Sequence, residues 1–219
     1  MVDVDKIQTD FDRLAAFDGD GWNHNNHYHD FLLRQIPPRC EYSLEIGCGT
    51  GTFARLLAKC SQNILALDLS PQMIVHAKER SSTYPNIDYK AADVMAYDLP
   101  DAQFDCIVSI ATLHHVSIEE ALPKIKRALK VNGRLMVLDL FEAETIREKF
   151  IAAFGVPYHL VLKRLHHGRL REPDEAHAAW EEHGRSDVYL TLSQLRQICD
   201  THLPQAKIRQ HLLWRYSLI

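Results

Sequence analysis

Apolar residues fall first with a helical period along this chain and then in short buried runs. Ile7, Phe11 and Leu14 recur at i, i+4 and i+7, which predicts an amphipathic helix over residues 3–17. Gly19 and Gly21 break it. A second helix is expected over Asn26–Ile36, with Phe31, Leu32 and Ile36 facing inward and Pro37-Pro38 as its stop. From there strands and helices take turns. SLEI (43–46) reads as a buried strand, followed by the turn GCGTG and the helix TFARLLAKC. NILALD (63–68) is a strand, and SPQMIVHAKERS a helix with Ser70 as N-cap and Pro71 at its first position. IDYKAAD (87–93) and FDCIVSIA (104–111) are strands. A capping box over Ser117–Glu120 opens a helix through Leu122, Ile125 and Leu129, and Asn132-Gly133 turns the chain into RLMVLDLF.

Such alternation implies parallel strands with helices on both faces, a doubly wound α/β sheet. Residues 142–187 keep a helical period but offer no strand, and KIRQHLLWRYSLI then returns to the sheet with no evident turn inside it. One domain is expected: a helical cap over 1–38, a core over 39–141, a helical insertion or lid over 142–187, and a closing helix and strand over 188–219. Its 219 residues with 46% hydrophobic content are enough for a sizeable core. The 25 basic against 29 acidic residues argue against wrapping DNA, which needs a basic surface. Cys40, Cys48, Cys60, Cys106 and Cys199 are scattered and odd in number, which fits reduced thiols. The polar start and the lack of a membrane-length apolar run predict a cytoplasmic protein without a membrane partner.

The first site that carries chemistry is Glu45-Ile-Gly-Cys-Gly-Thr-Gly51, where Gly47, Gly49 and Gly51 lie between a buried strand and a helix. Glycine there permits a sharp turn and lets a ligand lie against main-chain atoms. A dinucleotide fold has G-x-G-x-x-G; here the spacing is G-x-G-x-G behind an acid, which argues against an NAD-dependent oxidoreductase. Asp68 ends the second strand, where a carboxylate can take both hydroxyls of a ribose. Its ordinary alternative, capping the next helix, is a job Ser70 already fills. Asp93 closes the third strand, where it can accept from an adenine amine while the Val94 N–H meets the ring.

In order and spacing, LEIGCGTG, LALDLSPQMI, AADVMAYDLP, FDCIVSIATLHHV and LKVNGRLMVLDL resemble the class I S-adenosylmethionine-dependent methyltransferases of the small-molecule, type 11/12-like branch. The resemblance covers residues 43–141. It implies a Rossmann-like sheet of seven strands in the order 3-2-1-4-5-7-6, the last antiparallel. It also implies S-adenosylmethionine as cofactor and S-adenosylhomocysteine as product. By that resemblance Gly47, Cys48, Gly49 and Gly51 pack against the methionine moiety behind Glu45, and Asp68 holds the ribose. Leu69 and Met73 lie by the base, Asp93 and Val94 read adenine, and Ile110 or Ala111 offers a carbonyl to the cofactor's amino group. SIATLHH lacks the Asp/Asn-Pro-Pro-Tyr pattern of amine methyltransferases and the Pro-Cys of cytosine C5 enzymes, which leaves a small-molecule acceptor. The protein's task is to align that acceptor with the methyl–sulfur bond and exclude water. A base is needed only if the acceptor loses a proton. His114 and His115 are its candidates, against a structural role in which one of them bonds backbone.

WNHNNHYH (22–29) holds three histidines that could converge on a metal, but helical geometry turns His29 away from His27, and no carboxylate stands at a ligand spacing. No metal is therefore assigned. A similar run, and a similar LLWRYSL end, occur in a subset of uncharacterised bacterial methyltransferases. The segment is expected to lie across the cofactor mouth, with Asn25 or Asn26 capping its helix. His27 would reach the cofactor and Tyr28 the chemistry. Lys163, Arg164, Arg169 and Arg171 in the insertion read as a solvated face, or as a grip on an anionic acceptor or RNA. Non-catalytic binding of S-adenosylmethionine or S-adenosylhomocysteine, or an RNA acceptor, stand as alternatives. The oligomeric state is not written in the sequence.

Overall fold

Asp3 accepts the Lys6 N–H at 3.0 Å and starts α1 (Val4–Leu14), which buries Leu14 against Met73 and Ala179. The computed structural model describes residues 3–17, 21–167, 174–185 and 187–219. Gly19, Arg169, Arg171 and the side chains of His167 and His177 lie outside the described residues. A single 3-10 turn over Asn26–Tyr28 leads into α2 (His29–Leu33), a shorter helix than the spacing predicts.

β1 (Tyr42–Ile46), α3 (Thr52–Leu57), β2 (Asn63–Asp68), α4 (Pro71–Arg80) and β3 (Ile87–Ala91) follow in the expected alternation. Ser70 Oγ accepts the Met73 N–H at 3.1 Å, so the predicted cap of α4 is made. After β4 (Phe104–Ile110) comes α5 (Ile118–Ala128), and here the capping box is absent: Ser117 holds the N-cap position but its side chain makes no capping bond. β5 (Leu129–Leu140) starts earlier than expected. Asn132 adopts φ +64° within it, and the pairing with β4 shifts register between Phe104 and Cys106. The chain then forms α6 (Ile146–His167), α7 (Asp174–Gly184) and α8 (Leu192–His202). A capping box does exist at α8, between Thr191 and Gln194.

β6 (Ile208–Gln210) and β7 (Arg215–Leu218) complete the sheet. The turn between them uses Leu213 and Trp214 at φ +56° and +59°, a left-handed pair normally built from Gly, Asn or Asp. Among the described residues, seven strands make one sheet in the order β3-β2-β1-β4-β5-β7-β6, with β7 antiparallel to β5 and β6. Period-two alternation feeds two cores. Leu44, Ile46, Ile107, Leu135 and Val137 face α5 and α8, while Cys106, Val108, Met136 and Leu138 face the opposite side with Phe53, Leu57 and Ile74. Both faces are covered, as a parallel sheet requires. No helix among the described residues is long and apolar enough to cross a membrane.

Candidate active site

The carboxyl ends of β1 to β4 open onto a cavity of about 390 Å³, the crevice where open α/β sheets bind ligands. The turn after β1 forms one wall. Gly47, Gly49 and Gly51 have φ of +72°, +52° and +79°. A Cβ on Gly47 would run into the Thr112 side chain and one on Gly51 into the Tyr89 hydroxyl, whereas a Cβ on Gly49 meets nothing within 4 Å. Gly51 therefore sits behind the wall, and Gly49 leaves main chain bare toward the cavity. The Gly49 N–H donates to Asp68 Oδ2 at 2.7 Å, and the Ser70 N–H to Asp68 Oδ1 at 2.9 Å. Asp68 thus borders the cavity while tying the glycine turn to the start of α4.

Glu45 is 2% exposed, and its Oε2 has no hydrogen-bond partner among the described residues. Burial, reinforced by the Asp68 charge, lifts its acid well above the usual carboxylate range against the pull of Arg55. Burial likewise pushes the Cys48 thiol up. Leu69, Met73, Asp93 and Val94 line the far end, where Asp93 Oδ1 accepts the Met95 N–H at 2.8 Å. Ile110 also lines the cavity, but its carbonyl accepts the Thr112 hydroxyl at 3.0 Å. Ala111 beside it has φ +49°. A non-glycine residue held there stores roughly 1–3 kcal/mol of strain, a cost concentrated at functional sites.

A second part of the lining is made of side chains. His114 and His115 follow β4 in a 3-10 turn. His114 Nδ1 lies 2.6 Å from Asp139 Oδ1, and the main-chain N–H of His114 donates to Asp139 Oδ2 at 3.2 Å. Asp139, at the end of β5, is fully buried. Burial pushes its carboxyl up, but His114, the Leu140 N–H and Arg215 outweigh that and hold it below its ordinary value. With the ring proton on Nδ1 toward Asp139, Nε2 of His114 is left as an acceptor. The His115 ring lies 3.8 Å from that of His114, and burial, then the His114 charge, push its pKa down to about 4. Asp187, His183 and Tyr189 reach this wall too, with the Tyr189 hydroxyl donating to Asp187 Oδ2 at 2.9 Å. Arg215, at the start of β7, donates through Nε to Asn25 Oδ1 at 2.8 Å.

Residues 44–137 match a family described as methyltransferase domain. An uncharacterized methyltransferase of Mycobacterium tuberculosis is 34% identical over 118 residues, covering 53% of this chain and 59% of that protein. A probable S-adenosylmethionine-dependent methyltransferase of the same organism is 30% identical over 112 residues, covering 50% of this chain and 40% of that one. The matched segment thus spans about half the length of these relatives. A crystal structure of an S-adenosylmethionine-dependent methyltransferase from Aquifex aeolicus superposes with a TM-score of 0.57 over 87% of each chain at 16% identity, a likeness of fold.

Residues 44–137 therefore match a methyltransferase domain, and the fold around them is that of the S-adenosylmethionine-dependent methyltransferases.

Their cofactor is S-adenosylmethionine, and the residues present fit it: a glycine turn that leaves main chain open, and a buried acid with an unpartnered oxygen in the wall. WNHNNHYH is arranged differently from expectation. Asn23, Asn25, Asn26 and His29 line the cavity; His27 and Tyr28 do not. The Tyr28 hydroxyl donates to the Leu212 carbonyl at 2.7 Å, and His27 Nε2 lies 3.3 Å from the Tyr158 hydroxyl of α6. His24 shares a hydrogen bond of 2.7 Å with His159, and the Trp22 ring stacks on that of His166. The helix start is capped by Asn23, whose Oδ1 accepts the Asn25 and Asn26 N–H groups, both at 2.9 Å.

The segment therefore shows asparagines to the cavity and two of its histidines to α6. That helix is not simply a charged face: Phe150, Phe154 and Leu165 are 65%, 68% and 73% exposed. The sequence reading does not bring Asn23, Asp187, Tyr189, Arg215 or the supporting Asp139 to the site, and it takes His183 for a surface residue with no metal pattern, whereas that residue is 4% exposed and lines the cavity. Of these, Asp139 alone carried a local signal, a charge at the end of an apolar strand.

Proposed function

We propose that this methyltransferase moves a methyl group from S-adenosylmethionine to a small-molecule acceptor that enters beside His114 and His115. The observation that carries the reading is one cavity lined both by the glycine turn and by His114, whose ring is held from behind by the buried Asp139. When bound, the cofactor supplies an electrophilic methyl group. The main chain of Gly47–Gly49 and Cys48 receives its amino-acid end near Glu45. Asp68 takes the ribose hydroxyls, and Leu69, Met73, Asp93 and Val94 hold the base. On the other wall, Asp139 fixes the His114 ring so that Nε2 can accept a proton from an acceptor hydroxyl, thiol or amine. Cap and insertion shield this reaction from water.

Calorimetry with S-adenosylhomocysteine and with NAD tests the cofactor half. Only the former is expected to bind, and binding of NAD alone would overturn the reading. Asp68→Ala should weaken the homocysteine compound by roughly 10–100-fold, the loss expected of charge-assisted hydrogen bonds. Turnover of cofactor with fractionated cell extract tests the acceptor half. A protein that binds cofactor but transfers no methyl to any fraction would be a binding module.

A further inference from the structure

Three histidine rings converge on one carboxylate at the acceptor wall, with separations that hydrogen bonding does not explain. Asp187 Oδ1 lies 3.6 Å from His115 Nδ1 and 3.8 Å from His183 Nε2, while Asp187 Oδ2 lies 3.9 Å from His114 Nε2. These distances are beyond hydrogen-bond range. They are close to the spacing of neighbouring ligands around a small ion: bonds of 2.0–2.2 Å in tetrahedral array put donor atoms roughly 3.3–3.6 Å apart. Donor atoms of His114, His115 and Asp187 all lie within 4.8 Å of one another. The side chains of His114, His115, His183 and Asp187 are 6–9% exposed, so the cluster is sheltered but borders the cavity.

A second observation concerns the groups behind the rings. His114 turns its other nitrogen to Asp139 at 2.6 Å, and His183 turns its Nδ1 to Asp10 Oδ2 at 3.1 Å. A carboxylate behind a histidine sets the tautomer, aims the bare nitrogen forward and raises its basicity, the arrangement found behind metal-ligating histidines. The Tyr189 hydroxyl orients the Asp187 carboxylate in the same way. Imidazole with a single carboxylate suits zinc, iron or manganese far better than magnesium or calcium, which take oxygen ligands.

We propose that His114, His115 and Asp187, with His183 alongside, bind a divalent transition-metal ion of the zinc type at the acceptor end of the cavity. The ion's open position faces the cavity and takes an oxygen or sulfur of the acceptor. This deepens the proposed function and rests on it in one respect: the acceptor meets the ion in place of a free His114 Nε2. Ion binding itself depends only on the cluster. It also gives the insertion a role, because His183 and Asp187 come from α7 and the segment after it.

The test uses the whole chain, stripped with a chelator and titrated with Zn²⁺ by calorimetry and with Co²⁺ by visible absorption. One ion per chain is expected, with a dissociation constant of roughly 1 μM or below and the absorption of a four- or five-coordinate cobalt centre. Asp187→Asn and His115→Ala should each weaken binding at least as much as loss of an outer partner, roughly 10–100-fold. His24→Ala, in the other histidine cluster, should leave it unchanged. No saturable binding, or equal binding by Asp187→Asn and the parent protein, overturns the site; circular dichroism of each variant separates misfolding from ligand loss. S-adenosylhomocysteine affinity is measured in the same stripped samples. If that fails while zinc binds, the methyl-transfer reading falls and the metal site stands. If the homocysteine compound binds and zinc does not, the reverse holds.

Discussion

The two walls of the cavity are made of different material. The proposed cofactor wall is drawn from the glycine turn and from the ends of β2 and β3, separate segments that all fall between Glu45 and Val94. The proposed acceptor wall gathers the side chains of His114, His183, Asp187 and Arg215 from far apart in the chain, with Asp139 and Asp10 behind the two histidines. Main-chain recognition depends on backbone shape, which few sequences can satisfy, and so it leaves a local signature. Side-chain recognition depends on which elements fold together, so a change in the insertion can alter it without touching the glycine turn.

Separating the walls should give the largest effect. His114→Ala is expected to lower turnover by roughly 10²–10⁴-fold and leave S-adenosylhomocysteine affinity unchanged by calorimetry. Asp139→Asn should follow it, since an amide cannot hold the Nδ1–H as an anion does. Loss of affinity and turnover together would mean that the walls are one structural unit. Next comes the cofactor wall itself. Gly47→Ala combines left-handed backbone with a clash against Thr112, so denaturant unfolding should show a loss of about 2–4 kcal/mol. Gly49→Ala meets only the backbone term, about 1–2 kcal/mol, and should instead lose affinity. If the two variants behave alike, the contrast between a packed and an open glycine fails.

A smaller effect separates the walls by pH. Burial lowers the His29 pKa to about 4, against the weaker opposing pull of Asp30. The unfolded chain then binds the proton more readily, so this stability is complete above pH 6.5 and declines as pH falls from 6.5 towards 4. His29→Gln should flatten that decline by about 1–3 kcal/mol in denaturant melts across this range; an unchanged slope would place the ring in water. The smallest effect lies at two helix starts near the acceptor wall. Thr191→Ala should cost about 1 kcal/mol and Ser117→Ala almost nothing, because Thr191 makes a capping bond and Ser117 does not. Equal losses in thermal melts would contradict that difference.

What the sequence made legible follows the same division. Alternating burial, the Ser70-Pro71 cap and the strand–glycine–helix run each state a local requirement, and the strand order came with the family resemblance they carried. The Leu213–Trp214 turn was hidden because neither residue belongs to the usual left-handed set. The facing of WNHNNHYH was misjudged because its helix opens with a 3-10 turn, three residues per turn, which rotates the side chains away from a 3.6-residue wheel. Asp139 shows along the chain only as a charge at the end of an apolar strand, because its bond to His114 depends on how β4 and β5 pair. His183 and Asp187 stand about seventy residues from His114, and no periodicity links positions so far apart.

Asp68 ties the N–H groups of Gly49 and Ser70 to one carboxylate within the chain itself. The glycine turn therefore has its binding shape from the moment the chain folds, and little ordering is left for the encounter. That makes the consequence one of rates. Cofactor capture should proceed in a single step with no lag for loop rearrangement, and analogues of unequal affinity should arrive at similar speed and differ in how fast they leave.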